Sequence, residues 1–162
     1  MNVTIQKKAA FTAAGINKQN INSYLCPGVW DKLHSKFRHD ELAKLGEGQS
    51  VGICHDILSL DTHDVKNSNT INYMAGYIVK DIYKAKELGL DILQVKEAEY
   101  AVVELNGSMP DCIHEGWKYF MELFCPEHGY VHSGAPDVEY YYEGDMQSKD
   151  YKMELWIPIV KA

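Results

Sequence analysis

The chain has 162 residues, enough for one domain or for two small halves around a shared core. Its 46% hydrophobic and 24% charged residues are typical of a soluble globular protein, and no apolar run reaches the roughly 20 residues of a membrane span. The net charge of −7 is uneven, because residues 98–162 hold 4 Lys and Arg against 12 Asp and Glu. This acidic half argues against direct nucleic-acid binding and favours cationic ligands or basic partners.

The N-terminus and the cysteines indicate a cytoplasmic protein. The first residues lead directly into a strand-like segment instead of a signal peptide. The four cysteines, Cys26, Cys54, Cys112 and Cys125, form no Cys-x-x-Cys pair and are expected to be free thiols. Cys125 and His128 have a ligand-like separation, but no second pair completes a tetrahedral zinc site. We therefore expect neither a metal nor a cofactor.

The first half of the chain predicts a strand followed by a helix. Residues 3–16 are rich in Ala, Thr and Ile, as strands often are. Pro27 suits the first turn of a helix, in which Trp30, Leu33 and Phe37 recur on one apolar face. Glycines after residue 45 favour the end of this helix.

Further strands are predicted after the first helix. Residues 51–58 and 71–79 form two strands, joined by a polar loop at 61–69. A charged connector then leads into a strand over residues 90–105, with a bend or bulge near Glu97.

The second half of the chain predicts the same order of elements. A helix opens after Gly107 and ends at Pro126 and Gly129. Strands at residues 138–143 and 152–160 follow, separated by a polar turn.

Two sequence echoes support an internal duplication. A Trp-x2-Leu/Phe-x3-Phe pattern that begins at Trp30 recurs from Trp117, 87 residues later. A Lys-x-Ala-x-aromatic pattern that begins at Lys7 recurs from Lys96, 89 residues later. Both echoes fall at the same place within their halves, which indicates repeated units.

These elements predict an α+β fold in a single domain, residues 1–162, with pseudo-repeats 1–80 and 90–162. The two β-α-β-β units would form an antiparallel sheet with the two main helices on one face. A ligand groove is expected where the halves meet, because such junctions often hold ligands.

The last strand supplies the candidate acid of this groove. Residues 153, 155, 157 and 159 form an apolar face, whereas Glu154 and Trp156 point the other way. Because the helices should cover the apolar face, we expect the groove on the face that holds Glu154 and Trp156. An acid beside a large aromatic ring suits a cation, although an ordinary edge-strand Glu with a half-exposed Trp remains the alternative.

Tyrosines are the second candidate group. Tyr73 and Tyr77 share a face of one predicted strand, and Tyr140 and Tyr142 share a face of another. A tyrosine offers an apolar body and a hydroxyl that can hydrogen-bond a ligand, yet it is equally suited to a half-buried strand. The helical spacing of Trp30 and Trp117 favours the core over the site.

Several motifs resemble a known family across nearly the whole chain. They are Tyr100-Ala101-Val102-Val103 followed by Gly107, then Phe124-Cys125-Pro126 with Gly129-Tyr130, and finally Glu154-Leu155-Trp156-Ile157-Pro158-Ile159. Together they resemble the GyrI-like effector-binding domains, which are also fused to AraC-type and multidrug-sensing transcription regulators. No helix-turn-helix precedes the motifs, so a stand-alone member is expected.

The resemblance implies a duplicated fold with a ligand cleft between its repeats. In relatives, a glutamate at the position of Glu154 lies in this cleft among aromatic residues and engages cationic or amphipathic molecules. Phe124 takes the place of the family's usual Trp and is therefore included among the ligand-binding candidates. The departures at Cys125 and His128 imply a different cleft rim.

Three functions follow from this resemblance. The first is the binding of cationic or amphipathic aromatic ligands, for drug sensing or sequestration, by Glu154 and its aromatic neighbours. The second is hydrolysis of strained cyclopropane-containing electrophiles, with Glu154 as general base and Tyr73 polarising the substrate. The third is binding of a protein partner, as in gyrase inhibition. Direct nucleic-acid or membrane binding is not expected.

Overall fold

The computed structural model describes residues 1–55 and 70–162. The strands in this part of the chain are β1 (Val3–Lys8), β2 (Phe11–Asn22), β3 (Gly46–His55), β4 (Thr70–Val79), β5 (Asp91–Val95), β6 (Ala98–Asn106), β7 (Tyr130–His132), β8 (Asp137–Tyr141) and β9 (Lys152–Lys161). The helices are α1 (Cys26–Lys36), α2 (His39–Ala43), α3 (Ile82–Glu87), α4 (Asp111–Tyr119) and α5 (Cys125–His128), with a 3-10 turn at Ser23–Leu25 and a π-helical segment at Phe120–Phe124 between α4 and α5.

The strands form a curled antiparallel sheet in the order β1-β6-β9-β8-β3-β4-β2-β5, with β7 beside β9. The two halves of the chain meet at the β3–β8 pair, where Gly52 lies opposite Glu139 and Cys54 opposite Asp137. Gly52 and Glu139 are 87 residues apart, the same offset that separates Trp30 from Trp117. The α+β class and the antiparallel sheet are confirmed, whereas the single domain and the duplication stay predictions.

Both main helices cover the same face of the sheet. Leu33 of α1 belongs to the same core cluster as Tyr73 and Tyr77 of β4, and Phe120 at the end of α4 belongs to the same cluster as Leu155 of β9. The pairings across β4, β3, β8 and β9 place these strand residues on one face, since paired residues in antiparallel strands point the same way. Full burial of a side chain such as Leu33 contributes about 1.5–3 kcal/mol.

The opposite face of the sheet is also buried, although no helix in the described ranges packs on it. Its core includes Val51, Ile53, Met74, Val102 and Trp156. The curl of the sheet brings these side chains together, so that the sheet covers its own inner face. We call the two sides the helix face and the inner face.

Two predicted strands are in fact four. The predicted strand at residues 3–16 is divided into β1, which pairs with β6, and β2, which pairs with β4 and β5. The predicted strand at residues 90–105 is likewise divided into β5 and β6, with the break at Lys96 and Glu97, where a bend was expected. Each break is needed because the chain changes its pairing partner there.

The helices also differ from the prediction in their ends. The first helix ends at Lys36 and is followed by α2, and the predicted charged connector contains α3, whose first turn is capped by the Asp81 side chain accepting from the Lys84 amide. Pro126 lies in the first turn of α5 instead of ending the second helix. Gly129, with a φ of 72°, ends it as predicted.

Some predicted features fall beyond what is described. The strand predicted at residues 51–58 begins earlier, at Gly46, and its last three residues and the loop at 61–69 lie outside the described residues. The strand β7 was not predicted from the sequence. Among the helices in the two described ranges, none is both long enough and apolar enough to cross a membrane.

Candidate functional site

A carboxylate lies on the helix face at the junction of the two halves. Glu139 is in the middle of β8, and the neighbouring strand β3 runs opposite it. Its side chain points toward α1, together with Tyr73 of β4 and Tyr141 of β8. We call Trp30, Tyr73, Glu139 and Tyr141 the Glu139 cluster.

The hydrogen bonds of this cluster run in one direction. The indole Nε1–H of Trp30 donates to the Tyr73 hydroxyl over 2.8 Å, and an indole nitrogen can only donate. The Tyr73 hydroxyl must therefore use its single proton to donate to Glu139 Oε1, 2.9 Å away. Tyr141 donates to the same oxygen over 2.5 Å. The cluster thus presents two hydroxyl protons to Oε1 of Glu139.

The other oxygen of Glu139 is open. Oε2 has no hydrogen-bond partner in residues 1–55 and 70–162. In this part of the chain, Tyr100 Oη is the one fully buried side-chain polar atom without a partner, so Oε2 of Glu139 is not completely shielded from solvent. Oε2 is therefore the free acceptor of the Glu139 cluster.

Gly52 provides the space for this arrangement. A Cβ at residue 52 would lie 2.3 Å from Glu139 Oε1 and 2.3 Å from the Tyr73 hydroxyl. Only a residue without a side chain fits there, because such contacts are far inside van der Waals distance. The absence of a side chain on β3 allows the side chains of Tyr73 and Glu139 to meet in front of it.

The described groups that interact with Glu139 are neutral or negative. Burial, and secondarily the charge of Glu139, raises the pKa of the Tyr73 and Tyr141 hydroxyls and of the Cys54 thiol well above their usual values. The same two causes raise the pKa of Cys26 to about 12. These four groups are therefore protonated and uncharged at neutral pH.

The pKa of Glu139 itself is raised. The largest cause is desolvation, which the two tyrosine hydroxyls oppose and the nearby charge of Asp137 reinforces. No Lys, Arg or His in the described residues forms an ion pair with Glu139. Within residues 1–55 and 70–162, Glu139 is therefore a partly buried acid without a counter-ion.

A second acid lies on the same strand face. Asp137 is 3% exposed, and its Oδ1 accepts a hydrogen bond from His132 Nε2 over 2.6 Å. The other ring nitrogen of His132, Nδ1, accepts the Gly134 amide at 2.9 Å, which fixes the ring proton on Nε2. The His132 ring is stacked at 18° on Trp117. Burial raises the pKa of Asp137, and the His132 hydrogen bond opposes this shift.

The structure divides the predicted site residues between the two faces. Tyr73 belongs to the Glu139 cluster, and Tyr77 is also on the helix face, where its hydroxyl contacts His39 Nδ1 at 2.5 Å. Phe124 is 5% exposed and packs on His128 and Tyr130 near the end of the second helix. The remaining candidates are on or beside the inner face: Tyr140, Tyr142, Glu154 and Trp156. The seven residues do not line one groove.

The inner-face acid is already satisfied by its own chain. Oε1 of Glu154 accepts the Trp156 indole N–H at 2.8 Å, and Oε2 accepts the Tyr142 hydroxyl. The Trp156 ring is stacked on Tyr140 with centroids 4.9 Å apart, and Lys8 Nζ lies 4.5 Å from its centroid. Trp156 is 5% exposed, so little of its ring is free for a ligand. That Glu154 binds a ligand stays a prediction.

Sequence reasoning missed Glu139 and Trp30. Trp30 was expected in the core, and it does pack there, but its N–H also supports Tyr73. Two features of the sequence could have identified Glu139. It shares a strand face with Asp137 and Tyr141, and the offset of 87 residues that relates Trp30 to Trp117 also relates Gly52 to Glu139. Trp117 is in the core beside His132, as expected.

Two other features are separate from the Glu139 cluster. Within the described ranges, no group of three or more His, Cys, Asp or Glu side chains is arranged to hold a metal ion. A depression of about 460 Å³ lies at the edge formed by β2 and β5, lined by residues 17–19 and 91–93. It contains none of the predicted site residues.

Comparison with known proteins assigns the chain to a family. The model of the family described as "GyrI-like small molecule binding domain" matches residues 1–160. No curated protein matches the sequence.

Solved structures share the fold at low sequence identity. The structure of SAV2435 bound to tetraphenylphosphonium superposes with a TM-score of 0.78 and 20% identity, over 99% of this chain and 94% of that one. The EcmrR C-terminal domain gives 0.64 and 12% identity, over 99% and 98%. A hydrolase encoded by lin2189 from Listeria innocua gives 0.59 and 13%, over 98% and 91%. At these identities the likeness shows the fold alone.

Proposed function

The chain belongs to the GyrI-like small molecule binding domain family, and we propose that it binds a lipophilic organic cation on the helix face, with Glu139 facing the positive charge. The observation that carries this proposal is the open Oε2 of a partly buried carboxylate that has no counter-ion in the described residues. The ligand would supply the positive charge that pairs with the Glu139 carboxylate.

The energetics of burial support a cation. Desolvating a lone carboxylate costs several kcal/mol, which two tyrosine hydrogen bonds offset only in part. A cationic group about 5 Å from the carboxylate regains about 3 kcal/mol at an effective dielectric constant near 20. A neutral ligand regains none of this energy, so the site should discriminate by charge.

The aromatic neighbours support a ligand that is also apolar. Trp30 is half-buried and lies edge-on to Tyr141, with ring centroids 5.5 Å apart. An aromatic face near a cation adds about 0.5–2 kcal/mol. SAV2435, which shares the fold, is bound to tetraphenylphosphonium, an apolar aromatic monocation. This compound is therefore a suitable first probe.

Calorimetric titration with tetraphenylphosphonium tests the proposal. Wild-type protein is expected to bind, and Glu139→Gln is expected to weaken binding by about two orders of magnitude, the equivalent of about 3 kcal/mol. Glu154→Gln is the matched control, since it makes the same change on the other side of the sheet. It should leave the affinity within about twofold.

The two variants together distinguish the two candidate acids. Loss of binding in Glu154→Gln with full binding in Glu139→Gln would overturn our choice of Glu139 and support the sequence-based choice instead. Equal affinity in all three proteins would remove the acid from recognition altogether. Thermal unfolding of each variant shows whether the fold is intact.

A hydrolase is the second candidate function. The raised pKa of Glu139 and its open Oε2 suit a general base, which would take a proton from water while the oxygen adds to a ring carbon of a strained cyclopropane. The ring-opened carbon would then accept a proton. Loss of the chromophore of a cyclopropane-bearing alkylator, abolished in Glu139→Gln, would support this function. Tight cation binding without turnover would leave the binding function alone.

A further inference from the structure

Asp137 has no role in the proposed cation site so far, although it is buried on the same face. It is separated from Glu139 by one residue of β8, so their Cα atoms are about 7 Å apart and their side chains point to the same side. Cys54, which lies opposite Asp137 on the neighbouring strand β3, is uncharged. The two acids therefore lie side by side at the junction of the halves.

The charge of Asp137 is not cancelled by its partner. His132 donates its Nε2 proton to Asp137 and accepts the Gly134 amide at Nδ1, so both ring nitrogens are engaged by a neutral imidazole. No Lys or Arg of the described residues pairs with Asp137. The hydrogen bond holds the carboxylate in place without neutralising it, and its field extends to Glu139, whose pKa it raises.

We propose that Asp137 is a second anionic determinant of the Glu139 site and biases that site toward doubly charged aromatic cations. This inference depends on the proposed function, because it concerns the same ligand. Asp137 is too buried to touch a ligand and acts through space. Coulomb energy is proportional to charge and falls with distance, so its contribution is zero for a neutral ligand and larger for a dication than for a monocation, by up to a factor of two when both charges lie equally close.

A ligand series of constant shape tests this proportionality. The probes are 4,4′-bipyridine, its N-methyl cation and its N,N′-dimethyl dication, which differ mainly in charge. At low salt, a ligand charge about 9 Å from Asp137 contributes roughly tenfold in affinity per unit charge. Asp137→Asn, which keeps an acceptor for His132, should leave the neutral compound unchanged, weaken the monocation roughly tenfold and weaken the dication more, by up to roughly a hundredfold.

Asp150→Asn is the matched control. It removes the same charge from the same half, but from an exposed turn, where salt and water screen it. Its affinities should follow wild type for all three probes. Wild-type protein alone provides a further check that needs no variant, since the dication must bind more tightly than the monocation.

The outcomes separate this inference from the function on which it depends. If wild type binds neither these cations nor tetraphenylphosphonium, the proposed function fails, and the inference with it. If it binds tetraphenylphosphonium but neither bipyridinium cation, the inference alone is overturned. If wild type binds the cations but Asp137→Asn has wild-type affinities, the inference alone is overturned. A loss of equal size for all three probes, or a monocation preferred by wild type, would also overturn it. A loss graded by ligand charge supports it.

Discussion

A methyl group at Gly52 is the sharpest perturbation of the proposed site. In Gly52→Ala the new Cβ would lie 2.3 Å from Glu139 Oε1, 2.3 Å from the Tyr73 hydroxyl and 3.0 Å from the Tyr73 Cζ. The Glu139 carboxylate is the end of a flexible chain and can move. The Tyr73 ring is 1% exposed and held by Trp30, so it cannot move without disturbing the core. We expect the Tyr73–Glu139 hydrogen bond to break.

The Gly52→Ala substitution lowers the free energy of unfolding for two reasons. Overpacking a well-filled core costs about 1–3 kcal/mol. A hydrogen bond to a charged group contributes about 1.5–3 kcal/mol. The free energy of unfolding should therefore fall by about 3 kcal/mol or more, which corresponds to a drop in Tm of roughly 6–12 °C for a chain of this length. Cation affinity should also fall, because the displaced carboxylate no longer occupies its position.

Urea denaturation followed by circular dichroism measures the stability, and titration with tetraphenylphosphonium measures the affinity. Gly28→Ala is the matched control, because a Cβ at this position in α1 meets no atom within 4 Å. Alanine favours helix over glycine by about 1 kcal/mol, so this control should be slightly more stable than wild type. A Gly52→Ala protein that matches Gly28→Ala in both stability and affinity would refute the geometry described for Tyr73 and Glu139.

Three further predictions follow from buried polar groups. Glu139→Gln should raise the free energy of unfolding at neutral pH, because a carboxyl with a raised folded-state pKa costs stability as the pH rises from its unfolded pKa of about 4.3 to the folded value. The gain should vanish below about pH 4.3, and a pH series of urea melts without this convergence would contradict it. Protonation removes the charge that attracts the cation, so cation affinity should fall in wild type when titrations are repeated at descending pH, but stay constant in Glu139→Gln. A flat wild-type profile would argue against a charged Glu139. Tyr100→Phe removes a buried hydroxyl that has no partner among the described residues, and it should stabilise the protein by about 1 kcal/mol in thermal or urea unfolding. Tyr151→Phe loses a 2.8 Å hydrogen bond to the Tyr142 carbonyl and should destabilise the protein by a similar amount. A destabilised Tyr100→Phe would indicate that this hydroxyl has a partner.

The fold was predictable from local patterns. Helical spacing identified the apolar faces of α1 and α4, because a helix that packs on one side must repeat its apolar residues every three or four positions. The breaks between β1 and β2 and between β5 and β6 were not predictable in the same way. They depend on which strand each segment pairs with, and pairing joins residues that are distant in sequence.

The site was harder to predict because the sheet is buried on both faces. Alternation along β8 separates Glu139 and Tyr141 from Val138 and Tyr140, but both sets are enclosed, one by helices and one by the curl of the sheet. An acid beside an aromatic residue occurs on each face, at Glu139 and at Glu154. The sequence does not state which face the helices cover, so the choice of Glu154 followed from assuming that only one face was buried.

The sequence by itself determined the α+β class, the order of the main elements, the family and the presence of an acid among aromatic residues, because each of these is recorded in spacing along the chain. The tertiary structure decided which acid is open. Glu139 and Glu154 each accept two hydrogen bonds, but those of Glu139 converge on one oxygen and leave the other free, whereas those of Glu154 occupy both. Each acid has one donor on its own strand and one from another part of the chain, and the position of that second donor, Tyr73 or Tyr142, is set by strand pairing. The space for the Tyr73–Glu139 contact comes from a glycine 87 residues before Glu139.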